Sequence, residues 1–368
     1  MAITRSLTGA ISEGAGAAMF RNRIINGDMR IDQRNAGASI TTGVGSNYAV
    51  DRFSTWTAVA SKFTTQRNAG SGSLPAGFTN YLGASSSSSY IAAAGDYFLI
   101  QQAIEGYNIA DLAWGTANAK TITVSFWVYS SLTGTFALSV RNGPLNRNYV
   151  TSYTISSPNT WTYITITVPG DTTGTWPTDN TAGLLLGFDL GTGSTYYATS
   201  LNTWGSQGST NQALTFSSAT KVVGTSGATF YITGVQLEKG TAATPFEYRN
   251  YGAELALCQR YYYKATDYSG TSAYTGIAQG AAYSATGVTV YGPLPVTMRT
   301  RPVPTFSNIR IYQFGSALSN TSFTMSTNWS STNMFGADLV VSGFTSGQPV
   351  AVQTNNNVAG YVEFNAEL

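Results

Sequence analysis

Residues 234–263 read GVQLEKGTAATPFEYRNYGAELALCQRYYY, and this stretch divides the chain into two β-rich units. Before it, residues 228–237 alternate apolar with small or polar side chains, which is typical of a strand with one buried face. After it, residues 254–263 begin a second unit with a dense aromatic cluster. Pro245 prevents one continuous helix from joining the two. The stretch therefore predicts a hinge between two β-domains.

The composition favours an all-β protein with a sizeable core. The 368 residues include 39 Gly, 17 Phe, 7 Trp and 23 Tyr, which suits short strands and tight turns better than helices. Charged residues make up only 10% of the chain, and the net charge is +2. This charge is too small for binding a phosphate backbone, so no nucleic-acid partner is expected.

The absent and rare residue types exclude several kinds of chemistry. The chain has no histidine, which removes the Ser-His-Asp triad and the HExxH zinc site. The single cysteine, Cys258, has no intrachain disulfide partner, and we expect it to be buried as a small apolar residue. The sequence has neither a signal peptide nor an apolar run long enough for a membrane span. We therefore expect a product made in the cytoplasm and not inserted into a membrane.

The first unit contains short strand candidates at turn-punctuated intervals, which predicts a sandwich. In residues 161–168, Trp161 and Tyr163 share one strand face, and the aliphatic side chains on the other face are the predicted core. The strand candidates are residues 121–130, 135–141, 148–155, 161–168, 182–190 and 228–238. Earlier in the chain, the Asn26–Gly27 pair predicts a hairpin turn between residues 23–25 and 29–31.

The second unit mixes tyrosine-rich strands with Gly turns and ends in further short strands, so we predict a second sandwich. The expected fold is mostly β, with two jelly-roll-like β-sandwich domains in series, residues 21–250 and 251–368. Residues 1–20 carry few large apolar groups. Because they cannot bury a face of their own, we expect them to be ordered only when they pack against another surface. They are interpreted as an N-terminal attachment segment, with a frayed terminus as the alternative.

Several motifs resemble a known family. GVQLE, ATPFE and ELALCQRYYYK in residues 234–264 are accompanied by further matching stretches, which are NRIINGDM at 22–29, YAVDRF at 48–53, LPVTMR at 294–299 and AEL at 366–368. Together they resemble tail-fibre and receptor-binding virion proteins of tailed bacteriophages, which carry a carbohydrate-binding-module-like β-sandwich. The resemblance implies a homotrimer located in the virion, attached to phage tail or capsid proteins through residues 1–20 and contacting a host-surface polysaccharide.

Sugar binding requires flat aromatic faces for the C–H side of a pyranose and short amide side chains for its hydroxyls. Residues 191–212 carry both types on one loop, and the candidate glycan-binding residues there are Tyr196, Tyr197, Asn202, Trp204 and Gln207. The alternative for Trp204 is a plug for the sandwich end. Tyr268 and Tyr274 are further candidates in the second unit. The triplet 261–263 is interpreted as covering a chain-to-chain contact.

Glycoside hydrolysis requires two carboxylates at a fixed separation. The acids in strand-end positions form no recognisable pair; they are Asp96, Glu105, Asp111, Asp171, Asp179, Asp189 and Asp267. Asp28 or Asp189 would suit a calcium site, but no DxDxDG-like spacing is present, so no metal and no cofactor is assigned. Asp51 and Arg52 are interpreted as a loop anchor rather than a site.

The expected function is therefore that of a non-enzymatic virion adhesin that binds host glycan. The alternative is a structural head or tail decoration protein or adaptor without receptor binding. An adhesin loses cell binding when its exposed aromatic side chains are removed, whereas an adaptor loses only particle assembly.

Overall fold

The computed structural model describes residues 21–70, 73–208, 210, 212–266, 274–315, 319–321, 324–326, 329–340 and 342–368. The predicted attachment segment, residues 1–20, lies outside the described residues, as does Tyr268. Four antiparallel sheets make up two β-sandwiches, so the predicted fold class is confirmed. The domain boundaries at residues 20/21 and 250/251 stay predictions.

The first sandwich consists of a six-stranded sheet, in the order β1-β4-β5-β13-β7-β10, and a seven-stranded sheet, in the order β12-β9-β8-β11-β6-β3-β2. Its strands are Ile40–Thr41 (β1), Gly45–Val50 (β2), Phe53–Thr57 (β3), Phe63–Arg67 (β4), Leu82–Ser86 (β5), Phe98–Glu105 (β6), Ile122–Ser130 (β7), Gly134–Asn142 (β8), Asn148–Ile155 (β9), Thr162–Val168 (β10), Ala182–Asp189 (β11), Trp204–Gly205 (β12) and Thr229–Lys239 (β13). Short 3-10 helices span Gly106–Asn108, Ala110–Leu112, Ser194–Tyr196 and Val222–Gly224.

Strand alternation builds the core of this sandwich. In β7, Val124, Phe126 and Val128 are fully buried between the sheets. In β10, Ile166 and Val168 are buried, whereas Tyr163 lies on the outer face and is 45% exposed. The core face predicted for residues 161–168 is therefore confirmed, because successive side chains of a strand point to opposite sides of the sheet.

The second sandwich pairs a three-stranded sheet, in the order β14-β23-β17, with a seven-stranded sheet, in the order β19-β18-β22-β15-β16-β21-β20. Its strands are Tyr262–Thr266 (β14), Gly276–Ser284 (β15), Gly287–Pro293 (β16), Val303–Ser307 (β17), Ile309–Gln313 (β18), Ser319–Asn320 (β19), Thr324–Ser326 (β20), Met334–Val340 (β21), Pro349–Thr354 (β22) and Tyr361–Asn365 (β23). Val288, Val290, Leu339 and Val352 are fully buried in its separate hydrophobic core.

A helix, α1 at Tyr251–Gln259, connects the two sandwiches. A hinge without a helix was predicted here, and this is corrected. The side-chain oxygen of Asn250 caps the helix by accepting from the Gly252 amide at 2.9 Å, and the Ala- and Leu-rich residues that follow have high helix propensity. Cys258 is buried in this helix as predicted, and burial raises the pKa of its thiol.

The two sandwiches meet at a packed junction centred on Glu105, at the end of β6. Its carboxylate is 1% exposed and accepts hydrogen bonds from Arg260 Nε at 2.9 Å and Arg260 Nη2 at 2.5 Å. The hydroxyl of Tyr261 donates to the same carboxylate at 2.6 Å. The residues that directly follow α1 are therefore fastened to the first sandwich, and the predicted hinge is a packed connection.

The last residues of the chain complete the junction. The carboxylate of Glu367 forms ion pairs with Arg52 and with Arg34, the latter at 3.2 Å. The Arg52 guanidinium lies 3.6 Å from the centroid of the Tyr261 ring. Arg299 donates to the backbone carbonyl of Glu367 at 2.6 Å. The chain terminus thus holds both sandwiches together through buried charges.

Two of the three tyrosines in the triplet have a different role from the one predicted. Tyr261 and Tyr262 are buried inside the chain rather than covering a chain-to-chain contact. The hydroxyl of Tyr262 donates to Glu363 at 2.5 Å, as that of Tyr261 does to Glu105. Each buried hydroxyl finds a carboxylate within the same chain, which satisfies its hydrogen bond without a second copy.

The predicted hairpin at Asn26–Gly27 is not formed, because the residues on either side of the pair belong to no strand. Asn26 is fully buried, and its side-chain amide donates to the Asp51 carbonyl at 2.9 Å. A Cβ on Gly27 would lie 2.2 Å from the carbonyl oxygen of Val235, so only glycine fits. The Asp51 side chain accepts from the Gln33 amide at 3.1 Å and so anchors this segment, as predicted.

Candidate functional site

The predicted loop in residues 191–212 lies against the seven-stranded sheet of the first sandwich. Tyr196 contacts Tyr97 edge to face with ring centroids 5.8 Å apart, and Tyr97 stacks on Trp56 at 3.9 Å. The hydroxyl of Tyr197 accepts a hydrogen bond from Lys221 Nζ at 3.2 Å. Tyr196 and Tyr197 are therefore half-buried and already have partners within the chain.

The polar residues of this loop also bond internally. The side-chain oxygen of Asn202 accepts from Thr151 Oγ1 at 2.7 Å. Gln207 Nε2 donates to the Tyr197 carbonyl at 3.1 Å. The structure thus keeps these residues near one another but engages their polar groups in the fold, and their glycan contact stays a prediction.

Trp204 packs as the plug that was the alternative interpretation. Its ring lies 5.3 Å from that of Trp114 and 5.5 Å from that of Trp176, and its Nε1 donates to the Pro169 carbonyl at 2.8 Å. Tyr149 adds a fourth ring at 5.2 Å. The Trp204 ring is therefore partly buried among aromatic neighbours and contributes to the packing of the first sandwich.

In the second sandwich, Tyr274 is partly exposed beside β15. The Arg310 guanidinium lies 3.9 Å from its ring centroid and is held in place by Gln353 at 3.0 Å. Because Tyr268 lies outside the described residues, the predicted pair is described only through Tyr274.

A larger aromatic surface covers part of the outer side of the six-stranded sheet. We call it the aromatic face, and it consists of Trp127, Tyr129, Trp161, Tyr163 and Tyr231. Tyr129 and Tyr231 are register partners on β7 and β13, and their rings stack at 5.1 Å with planes 7° apart. Trp127 and Tyr163 are register partners on β7 and β10, with ring centroids 5.2 Å apart. Three neighbouring strands thus hold the rings in one layer.

A cleft opens at one end of the aromatic face, between residues 73–75 and 159–161. Its volume is about 430 Å³, and it is lined by Ser73, Leu74, Pro75, Tyr129, Asn159, Thr160 and Trp161. The Tyr129 hydroxyl donates to Asn159 Oδ1 at 3.2 Å. Asn159 has a left-handed backbone, with φ +56°, and its amide donates to the Ser130 carbonyl at 2.7 Å, which fixes the turn.

The cleft is uncharged. Among the described residues, no acid, lysine or arginine contributes to its lining. Tyr81 supports the Trp161 ring edge to face at 5.7 Å, and burial raises the pKa of the Tyr81 hydroxyl, so that this group is neutral near pH 7. Aromatic faces next to hydroxyl and amide groups are suited to a neutral sugar.

The sequence analysis missed this site, although one signal was present. Trp161 and Tyr163 were grouped on the strand face opposite the core, which placed two large rings outside. Tyr129 and residues 73–75 lie far apart in the sequence. Their position in one cleft follows from the order of the strands in the sheet, which the sequence pattern does not give.

Most of the acids considered for catalysis have structural partners. Asp171 pairs with Arg147 at 2.6 Å, and Glu105 pairs with Arg260. Asp189 accepts from Thr215 Oγ1 at 2.7 Å. In the part of the chain that the structure describes, no three His, Cys, Asp or Glu side chains form a group suited to a metal ion. The described helices include none that is both long and apolar enough to cross a bilayer.

No protein-family model and no curated protein matches the sequence. Several solved structures are similar in part. The tandem CBM22 domain of Paenibacillus barcinonensis Xyn10C is 10% identical, and the match covers 90% of this chain and 98% of that one, with a TM-score of 0.26. A family 11 carbohydrate-binding module from Clostridium thermocellum, in complex with a β-1,3-1,4-mixed-linked tetrasaccharide, is 12% identical over 57% of this chain and 100% of that one, with a TM-score of 0.27.

A phage protein is also among the similar structures. The enzymatically active domain of bacteriophage CBA120 tailspike protein 4 is 12% identical, with a TM-score of 0.28. The match covers 60% of this chain but only 22% of the tailspike chain. Since all these TM-scores are below 0.3, the fold assignment rests on the sheets described above.

Proposed function

We propose that this chain is a non-enzymatic virion fibre or adhesin protein that binds a host-surface glycan. The main observation behind the proposal is the uncharged cleft at one end of the aromatic face. The rings of this face are held by three neighbouring strands, β13, β7 and β10. The motifs that resemble tail-fibre proteins support the virion setting. In this proposal residues 1–20 attach the chain to phage tail or capsid proteins.

The binding mode follows from the side chains of the cleft. The C–H face of a sugar ring stacks on the half-buried ring of Trp161 in the cleft or on the exposed ring of Tyr163 beside it, and its hydroxyls bond to Asn159 and Thr160. A volume of about 430 Å³ is at the lower end of ligand pockets, so the site takes a short segment of a glycan. Stacking contributes about 1 kcal/mol beyond area burial, so one site binds at millimolar to high-micromolar affinity.

Replacing Trp161 and Tyr163 together by alanine is expected to lower single-site glycan affinity roughly tenfold or more, because both stacking rings are removed. Adhesion of the labelled protein to host cells and binding to immobilised host polysaccharide measure the effect. Tyr107→Ala is the matched control, since Tyr107 is 60% exposed on a 3-10 helix outside the aromatic face. Unchanged adhesion of the double variant, at an unchanged melting temperature, would show that the cleft is not the receptor site.

We further propose a homotrimer, in which three linked copies raise a weak single-site affinity by avidity. Deleting residues 2–20 is expected to leave a folded trimer that no longer joins the particle. Light scattering should give about three times the mass of the respective chain for both forms, the full chain having 39.0 kDa, and particle incorporation should be lost only in the deletion. A monomer mass at micromolar concentration contradicts the trimer. If the Trp161 and Tyr163 variant instead blocks particle assembly and leaves adhesion intact, the chain is a structural adaptor.

A further inference from the structure

A second, larger cleft lies at the junction between the two sandwiches. Its volume is about 750 Å³, within the range of sites that hold small ligands. It is bordered by residues 30–36 and the end of β4 on one side, and by helix α1, strand β14 and residues 358–361 on the other. We call it the junction cleft. It exists only because the two sandwiches are held together.

The wall formed by residues 30–36 is rigid. Asp32 Oδ1 accepts from the Asn35 amide at 2.9 Å, and Asp32 Oδ2 accepts from the Gly37 amide at 2.6 Å. Asn35 Nδ2 then donates to the Tyr48 carbonyl at 2.8 Å. The carboxylate of Asp32 is thus engaged in shaping the loop, and the wall requires no reordering before a ligand binds.

Arg30 and Arg34, which line the junction cleft, are paired with carboxylates behind it. Arg30 pairs with Asp28 at 2.5 Å. Arg34 pairs with Glu367 at 3.2 Å, and its guanidinium lies 3.6 Å from the ring centroid of Tyr262. These two side chains therefore belong to the fold of the junction.

Arg67 differs from those two. Its Nη1 donates to the Arg30 carbonyl at 2.8 Å, which anchors the guanidinium, and it has no carboxylate partner within the described residues. Across the cleft, Lys264 Nζ donates to the Arg34 carbonyl at 2.9 Å and lies 4.6 Å from the Tyr361 ring centroid. Two anchored cations, one from each sandwich, thus border the same cavity.

The same cavity has aromatic walls. Tyr251, in the first turn of α1, is 55% exposed. Tyr263 is held by stacking on Phe364, with ring centroids 5.8 Å apart and planes 9° apart. Tyr361 contributes a third ring. Rings beside anchored cations match a ligand that has both a sugar-like apolar face and an anionic group.

We propose that the junction cleft binds an anionic saccharide, that is, a sugar that carries a carboxylate or a phosphate. The anionic group is placed between Arg67 and Lys264, and the sugar ring packs against Tyr251 and Tyr263. The ligand then bridges the two sandwiches. This site is separate from the uncharged cleft at Trp161 and does not depend on the function proposed for it.

The test is calorimetric titration of the full chain at low salt with a tetrasaccharide of glucuronic acid and with its carboxyl-reduced counterpart. The acidic form should bind, and the reduced form should bind about tenfold more weakly or worse, because a charge-assisted hydrogen bond is lost. Arg67→Gln should weaken the acidic ligand by a similar factor. Lys62→Gln is the matched control. Lys62 directly precedes β4, whereas Arg67 is its last residue, so the substitution removes the same charge about 17 Å from Arg67 along the strand.

One further variant and one competition experiment complete the test. Tyr251→Ala removes an exposed ring without touching the core and should weaken binding several-fold, even if Arg67→Gln fails to fold. If glucose 6-phosphate displaces the tetrasaccharide, the junction cleft binds sugar phosphates as well as sugar carboxylates. The proposal is overturned if the reduced and acidic forms bind alike, if Arg67→Gln and Lys62→Gln have equal effects, or if neither anionic sugar binds. The Trp161 and Tyr163 double variant should leave this binding unchanged.

Discussion

Replacing Glu105 by alanine is expected to lower the free energy of unfolding by about 3 kcal/mol. The loss arises because the Arg260 guanidinium and the Tyr261 hydroxyl are left without their carboxylate partner. Glu105 accepts from both Arg260 and Tyr261 and is almost fully buried. The variant loses three hydrogen bonds between the first sandwich and the segment after α1. Urea unfolding followed by tryptophan fluorescence measures the loss.

Asp111→Ala is the control for this experiment. Asp111 is paired with Arg23 at 2.7 Å and with Lys239 at 3.3 Å, but its side chain is 46% exposed. Exposed pairs contribute about 0 to 1 kcal/mol, so this variant should unfold almost as the parent does. Similar losses in both variants would mean that the Glu105 cluster does not hold the junction.

Replacing Trp204 by alanine is expected to cost about 3 kcal/mol of stability while leaving glycan affinity unchanged. The ring packs against Trp114, Trp176 and Tyr149, and its removal leaves a cavity among them. The Trp161 and Tyr163 double variant should show the opposite result, with glycan affinity lowered roughly tenfold or more and most of the stability retained. Thermal unfolding and polysaccharide binding are measured on both proteins.

The Trp204 result also decides between two interpretations of residues 191–212. Trp204→Phe keeps an aromatic ring in the cluster and should recover most of the stability. If Trp204→Ala instead loses adhesion at an unchanged melting temperature, the loop is the receptor surface, as the sequence analysis predicted, and the plug interpretation is wrong.

The motifs behind the tail-fibre resemblance converge on the junction. Asn22 accepts from the Leu237 amide at 3.0 Å, and Arg249 pairs with Glu254 at 3.3 Å. Arg299 and Glu367, near the end of the chain, meet the same region. These motifs preserve the packing between two sandwiches. The uncharged cleft contains no residue of these motifs, whereas Tyr263 and Lys264 of the junction cleft belong to ELALCQRYYYK.

Local patterning was sufficient to predict much of the fold. Alternation in residues 161–168 identified Ile166 and Val168 as core and Tyr163 as outward-facing, because a strand has a period of two wherever it lies in a sheet. Composition predicted β structure, and the predicted burial of Cys258 was confirmed. Helix α1 was not predicted. Pro245 excludes a helix only at its own position, and the Asn250 cap and the helix-forming residues after it start a new helix beyond the proline.

The sequence by itself determined the strands within residues 121–190 and 228–238, the core face of residues 161–168 and the mostly β fold class. Only the tertiary structure decided which outward-facing residues become neighbours. Tyr129, Trp161 and residues 73–75 line one cleft because of the order β5-β13-β7-β10, and Arg67 and Lys264 border another because the two sandwiches pack together. Sheet order and domain packing depend on contacts between residues far apart in the chain, which no local period encodes.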